Sequence, residues 1–208
     1  MASSSKVIEI IKKIADVIGE NKEYLTDLDA AIGDSDHGIN MNRGFQGVLA
    51  KLPDLEGKDI GAILQDGVGK SLRAIVGGSS GPLYGRFFIN CGKKTAGMQE
   101  IGMDEFLAMF KDGIDGVMKT CQAVKGEKTM LDAMIPAYEA MCAAQAAGKS
   151  AGEVFDEGVK AAEAGIEYTK TIIATKGRAS YLGERSLGHQ DPGATSFTLM
   201  LKTVAENI

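Results

Sequence analysis

KVIEIIKKIADVIG, residues 6–19, sets a pattern that most of the chain follows. Its apolar side chains return every three or four positions, at Val7, Ile10, Ile11, Ile14, Val17 and Ile18. This spacing places them on one face of an α-helix, whereas a half-buried strand would alternate apolar and polar residues. The stretch therefore predicts an amphipathic helix that buries one stripe against a core.

The same periodicity recurs almost to the C-terminus, and no segment alternates in the manner of a strand. Ser150 with Glu153 is typical of a capping box, and Asp191 before Pro192 is typical of a helix start. We therefore expect an all-α protein. The predicted helices are 5–19, 22–30, 39–51, 58–76, 81–96, 104–121, 130–147 and 151–175, with 193–206 as a ninth candidate.

Length and composition narrow the class of protein. The 208 residues show no repeat and no low-complexity linker, so we expect a single domain over 1–208. A net charge of -5 argues against a nucleic-acid interface, and no apolar run is long enough to span a membrane. Three cysteines without metal-type spacing predict free thiols in a reducing compartment, which with the plain N-terminus suggests a cytoplasmic protein.

The first unusual loop, 29–40, reads DAAIGDSDHGIN and holds three carboxylates, Asp29, Asp34 and Asp36, around a glycine turn. Magnesium takes oxygen ligands, commonly one or two carboxylates together with phosphate oxygens. An EF-hand is excluded because no glutamate occupies the twelfth position of a loop opened at Asp27 or Asp34. The spacing leaves two interpretations open: a metal site, or a solvated acidic turn with aspartate as a helix cap.

Two further loops resemble anion sites. Residues 77–82, GGSSGP, would present backbone N–H groups at a helix start, although an ordinary turn explains them as well. Residues 176–193 carry three basic side chains and are too long for a plain connector, so we expect an ordered, functional loop. The chain's two histidines also lie in the unusual loops, His37 in 29–40 and His189 in 176–193, and could orient phosphate or carry it covalently.

Gly69-Lys70-Ser71 resembles the last three residues of a phosphate-binding P-loop motif. Leu64 occupies the position where that motif requires glycine, and no strand precedes it. We expect these residues to lie inside a helix.

Taken together, GDSDHGINM at 33–41, GGSSGP at 77–82 and YLGERSLGHQDPGA at 181–194 resemble the L-domain signature of the dihydroxyacetone kinase family. The likeness covers the whole chain, and the three loops occur in the family's order. It implies an antiparallel barrel of about eight helices with the nucleotide site in the loops at one end.

The resemblance also implies a ligand set. Two magnesium ions would be held by Asp29, Asp34 and Asp36, and ADP or ATP would be held tightly as a coenzyme. The residues that it places around the nucleotide are His37, Gly38, Ile39, Asn40, Gly78, Ser79, Thr129, Arg178, Asp191, Pro192 and Gly193.

A lone L domain resembles the bacterial enzyme driven by the phosphoenolpyruvate phosphotransferase system. The resemblance implies that ADP accepts a phosphoryl group from an M-type phosphohistidine protein and that ATP passes it to dihydroxyacetone on a K subunit. No catalytic base is then expected in this chain, and a homodimer is left open. The alternatives are an L-type domain serving another acceptor, such as a ketose or a fatty acid, and a nucleotide-sensing module without turnover.

Overall fold

The computed structural model describes all 208 residues and is built almost wholly of helices. The α-helices are α1 Ser4–Glu20, α2 Lys22–Ile32, α3 His37–Lys51, α4 Ile60–Ala62, α5 Lys70–Ile75, α6 Ser80–Lys94, α7 Met103–Cys121, α8 Leu131–Ala146, α9 Ala151–Lys170 and α10 Pro192–Ala205. The all-α prediction is confirmed. No helix is both long and apolar enough to cross a bilayer.

The predicted helix 58–76 is interrupted in the structure. α4 and α5 flank a π-helical stretch, Ile63–Gly69, so one continuous helical run contains a widened segment. Gly69-Lys70-Ser71 lies where this stretch passes into α5, which confirms that the sequence is no P-loop. A π-helical segment shifts the side chains that follow it around the helix axis, and such segments are frequent at functional sites.

Two expectations were wrong in detail. The sequence showed no strand, but Ala2–Ser3 (β1) pairs antiparallel with Glu100–Ile101 (β2); two residues are too few to produce a visible alternation. The helix predicted to reach residue 175 ends at Lys170. The chain turns away there because the Ala174 N–H donates to the Ser186 hydroxyl, 3.0 Å away, and not to a carbonyl of α9.

The helices form two compact units. Unit 1 comprises Met1–Gly19 and Asn40–Cys121. Its centre is α6, which packs against α7 and against the run from α4 to α5. Phe87 anchors this core, with its ring edge-on to Phe88 at 5.2 Å and to Phe110 at 5.6 Å between centroids. Glycine permits the close packing: a Cβ on Gly69 would lie 2.7 Å from the Ile89 nitrogen.

Unit 2 comprises Glu20–Ile39 and Gln122–Ile208. Its main contact is between α8 and α9, with α10 packed on both. Gly165 on α9 touches the start of α8, where a Cβ would lie 2.1 Å from the Asp132 carbonyl oxygen. The capping box at α9 is confirmed, since Ser150 and Glu153 exchange hydrogen bonds between side chain and backbone.

The long loop 176–193 is ordered, as predicted, and folds into 3₁₀ turns over Arg178–Ser186. Gly183 breaks these turns with a positive φ of 56°. Ala179 is buried together with Ile32 and Ala174, and Leu182 packs against them. This small apolar cluster holds the loop beside the end of α2.

Candidate metal centre

The three predicted aspartates converge in unit 2. One carboxylate oxygen from each of Asp29, Asp34 and Asp36 lies within 4.8 Å of the others. Asp29 is buried near the end of α2, Asp34 is exposed in the turn, and Asp36 immediately precedes α3. Oxygen ligands that share one small volume are what a hard divalent cation requires.

Asp29 is also a helix cap, the role that the sequence left open as the alternative to metal binding. Its Oδ2 accepts the Asp36 N–H at 2.9 Å and the His37 N–H at 3.2 Å, so it caps the first turn of α3. These bonds satisfy N–H groups that a helix start leaves without intrahelical partners. The same two bonds fix the orientation of the carboxylate, so capping and metal binding are compatible uses of one side chain.

Gly33 makes this arrangement possible. A Cβ at that position would lie 2.0 Å from the Asp29 Oδ1 atom. Any side chain there would displace the buried carboxylate. Ser35 completes the turn with a positive φ of 62°, an uncommon conformation for a residue other than glycine.

Arg178 is brought to the cluster by the 3₁₀ turns. Its Nε donates to Asp34 Oδ2 at 2.9 Å, but the side chains are 63% and 34% exposed. An ion pair so open to solvent contributes little to stability. The geometry instead places an exposed cation beside the three anionic groups.

His37 is buried, with only 5% of its surface exposed, and its Nε2 lies 2.9 Å from the Ser196 hydroxyl of α10. Burial lowers the pKa of the imidazole to about 4, although the Asp29 and Asp36 carboxylates act in the opposite direction. The ring is therefore neutral near pH 7. Its burial favours a hydrogen-bonding role over covalent phosphoryl carriage.

α3 packs its first turn tightly against α2. A Cβ on Gly38 would lie 2.0 Å from the Lys22 carbonyl oxygen, so only glycine fits there. The next residue, Ile39, is 51% exposed, and its predicted contact with the nucleotide stays a prediction.

Asp191 caps α10 as predicted, with its Oδ2 accepting the Ala194 N–H at 2.7 Å. Burial raises the pKa of its carboxyl group to about 7; the bond from Ala194 and the Lys128 charge lower it, while Asp132 and Asp29 raise it. Pro192 opens the helix, and Gly193 lies against Asp191 and Met130.

Lys128 and Asp132 were missed by the sequence reasoning. Lys128 is only 1% exposed, and its ammonium group donates to the carbonyls of Thr169 at 2.6 Å and His189 at 2.5 Å. Asp132 accepts the N–H groups of Gly126 and Thr129. Thr129 and Asp132 have capping-box spacing, which could have revealed Asp132; nothing signals Lys128, because lysine is rarely buried.

Most of the predicted site residues belong to unit 2: the three aspartates, His37, Gly38, Ile39, Thr129, Arg178, Asp191, Pro192 and Gly193. The structure brings His37 and Arg178 into contact with the aspartate cluster, and the part of the others in nucleotide binding stays a prediction. Asn40, Gly78 and Ser79 belong to unit 1, and their part in nucleotide binding stays a prediction. In unit 1, Asn40 accepts a hydrogen bond from Arg43 at 2.7 Å, and Gly78 has a positive φ of 63°.

An all-α fold with clustered carboxylates at a helix start defines a class of domain suited to hold a divalent cation with a phosphate ligand. The chain belongs to the DAK2 domain family, which matches residues 31–206. It is 44% identical to the Escherichia coli "PEP-dependent dihydroxyacetone kinase, ADP-binding subunit DhaL", over 98% of this chain and 96% of that protein.

Longer relatives contain the same domain. The chain is 32% identical to the L-erythrulose 1-kinase of Mycolicibacterium smegmatis over 97% of its own length and 35% of that protein. All of it superimposes on 35% of the crystallographic chain of the C. freundii dihydroxyacetone kinase, with a TM-score of 0.76 and 25% identity. The same kinase in complex with AMP-PNP and Mg²⁺ gives a TM-score of 0.75 at 23% identity. The fold implied by the family resemblance is confirmed.

Proposed function

We propose that this chain is the ADP-binding, magnesium-dependent subunit of a dihydroxyacetone kinase, and that its phosphoryl donor is a phosphohistidine protein. The observation that carries the proposal is the convergence of Asp29, Asp34 and Asp36 within 4.8 Å. The likeness to the E. coli ADP-binding subunit over nearly the full length of both proteins supports it. The whole chain, 1–208, then acts as one L-type nucleotide-binding domain in the cytoplasm, for which free cysteines are suited.

In this proposal the three aspartates hold two magnesium ions, which neutralise charge on the transferred phosphoryl group when bound. Two ions offset most of the negative charge at such a site. Three carboxylates and an ADP of about -3 sum to roughly -6, and two ions supply +4. Arg178 beside Asp34 and the helix start at Pro192 reduce the remaining deficit of about two charges.

The protein's own groups position the nucleotide. The N-terminus of α10, which Asp191 caps, contributes a partial positive charge that favours phosphate, and the tight contact of Gly38 with α2 fixes the start of α3. Thr129, Gly193 and the neutral His37 add hydrogen-bonding or close-packing surface in the same unit. We propose that these residues hold ADP firmly enough to serve as a coenzyme.

Acceptor chemistry is assigned to another protein. Phosphoryl transfer depends on positioning and charge neutralisation more than on covalent catalysis, so a domain without a dedicated base can still carry the nucleotide. We propose that dihydroxyacetone and its base reside on a K subunit, and that an M-type phosphohistidine protein recharges ADP.

Native mass spectrometry tests the binding step. Protein purified with Mg²⁺ is expected to retain one nucleotide and two Mg²⁺ ions, and chelation with EDTA is expected to release them. A protein that never carries nucleotide, even with Mg²⁺ and a phosphorylated donor present, would end the proposal.

Reconstitution with K and M subunits tests turnover: full activity without this chain would mark it as a nucleotide sensor instead.

Erythrulose is a second candidate acceptor. It is supported by the match to an L-erythrulose 1-kinase over 97% of this chain. The nucleotide site would be unchanged, because acceptor choice belongs to the partner chain. Comparing dihydroxyacetone with erythrulose in the reconstituted assay separates the two candidates.

A further inference from the structure

A basic groove lies in unit 1, between α5 and α6. It has a volume of about 520 Å³ and is lined by four cationic side chains, Lys70, Arg73, Arg86 and Lys93, together with Gln65, Ala74 and Ile89. The chain as a whole carries a net charge of -5, so this groove is a local basic surface on an acidic protein. None of these residues belongs to the proposed magnesium or nucleotide site, so the groove requires an explanation of its own.

The cations are poorly neutralised by the protein itself. Lys70 pairs with Asp66 at 2.7 Å, but its side chain is 63% exposed. No ion pair in the structure includes Arg73, Arg86 or Lys93. Like charges held on one surface create a positive potential that favours an anionic ligand.

Two close helix contacts build the groove. A Cβ at Gly85 of α6 would lie 2.6 Å from the Arg73 Cβ, and a Cβ at Gly92 would lie 2.5 Å from the Gln65 nitrogen. Glycine at both positions lets α6 approach the helical run that contains the π segment. The cations of the two elements therefore face one shared depression and do not point away from each other.

The dimensions of the groove select among anions. Arg86 and Lys93 are seven residues apart on α6, which corresponds to about 10 Å along a helix. A row of this length offers more donors than a single phosphate can use, and successive carboxylates of an extended polypeptide match its spacing. The exposed methyl group of Ala74 and a small part of Ile89 also line the groove and give it an aliphatic surface, which suits a short apolar side chain.

We propose that this groove docks an acidic, partly apolar segment of a partner protein. Arginine forms two parallel hydrogen bonds to a carboxylate, so Arg73 and Arg86 are its main anchors, and Lys70 and Lys93 add charge at the rim. The inference goes beyond the proposed function and does not depend on it, because the groove is made entirely of unit 1 residues outside the nucleotide loops.

The test uses the full chain and a fluorescein-labelled peptide of four Glu-Glu-Leu repeats, with binding followed by fluorescence anisotropy. Arg73→Glu with Arg86→Glu is expected to weaken binding at least about tenfold. The matched control is Lys58→Glu with Lys119→Glu, two exposed unit 1 lysines outside the groove, with the same change in net charge. It is expected to change the affinity less than about twofold.

A second double variant, Arg73→Gln with Arg86→Gln, separates the loss of charge from misfolding, because glutamine is polar and uncharged. We expect it to weaken peptide binding several-fold. Three results would each overturn the proposal: no peptide binding by the wild type, an equal loss in the Lys58 and Lys119 control, or equal binding of a Gln-Gln-Leu peptide. The proposal would also be overturned if tripolyphosphate bound more tightly than the peptide and displaced it, because the groove would then be a site for a small anion.

Discussion

At the scale of single residues, Asp34 is the most informative side chain of the acidic cluster. It is exposed and caps no helix, whereas Asp29 is buried and holds the start of α3. Replacing Asp34 therefore removes a candidate ligand with little consequence for folding. Its pair with Arg178 is too exposed to stabilise the protein appreciably.

Asp34→Asn is expected to weaken Mg²⁺-dependent ADP binding at least about tenfold, which corresponds to about 1.4 kcal/mol. The reason is the loss of one anionic oxygen from a cluster that would share its cations with the diphosphate. Isothermal titration calorimetry measures the change. Asp27→Asn on α2 removes an equal charge from an exposed position two residues from Asp29 and is expected to bind like the wild type. Equal affinities for wild type and Asp34→Asn would contradict the metal assignment.

Lys128 stabilises unit 2 by linking two of its segments through hydrogen bonds. Its ammonium group joins the end of α9 to His189, two residues before the α10 cap. Lys128→Met keeps the aliphatic bulk but leaves the buried Thr169 carbonyl and the partly buried His189 carbonyl without their donor, so we expect a loss of about 2–4 kcal/mol in the free energy of unfolding. Urea denaturation measures it. Lys12→Met, at an exposed position, is expected to change stability by less than about 0.5 kcal/mol, and a similar value for Lys128→Met would contradict the role.

At the scale of single elements, α10 begins with a carboxyl group whose pKa is raised to about 7 by burial. The unfolded chain releases this proton near the ordinary pKa of 3.8, so the folded state binds more protons between these values. Asp191 therefore lowers the stability of the protein as pH rises from about 4 to 7. His37 acts in the opposite direction, since its folded pKa of about 4 lies below the ordinary 6.5.

Asp191→Asn retains a side-chain oxygen that can cap α10 but does not titrate. In protein freed of metal and nucleotide, the free energy of unfolding of this variant relative to the wild type is expected to increase between pH 4 and 7, by at least about 1 kcal/mol. The His37 contribution is present in both proteins and cancels in the difference. Chemical denaturation across this pH range gives the comparison, and a difference that is flat or decreasing with pH would contradict the raised pKa.

The contact between α8 and α9 yields another element-scale prediction. Gly165→Ala places a methyl group 2.1 Å from a backbone oxygen of α8, which must move, so we expect a loss of about 1–3 kcal/mol. Gly152→Ala lies on the same helix with no atom within 4 Å of the added carbon. It is expected to be neutral or to stabilise α9 by up to about 1 kcal/mol. Thermal melts of the two variants provide the contrast, and equal shifts would contradict the packing argument.

At the scale of the whole molecule, helix positions follow from periodicity because a buried stripe constrains every third or fourth residue. The same logic cannot foresee the π segment Ile63–Gly69, whose residues keep a helical pattern while the hydrogen bonds widen. It also misses contacts between elements distant in sequence, such as His37 with Ser196 and Lys128 with Thr169. The acidic cluster was predictable because its three members are close in sequence and meet across one turn.

The acidic cluster also predicts how the whole chain responds to its ligands. A ligand that binds only the folded state stabilises it by about 2.7 kcal/mol when its concentration is a hundred times its dissociation constant. For a chain of this length that corresponds to a rise of about 5–10 °C in Tm. We therefore expect Mg²⁺ with ADP to raise Tm by this amount. ADP with EDTA should leave Tm almost unchanged, because three unneutralised carboxylates repel the diphosphate. A full shift in the presence of EDTA would mean that the nucleotide binds without the aspartates' cations.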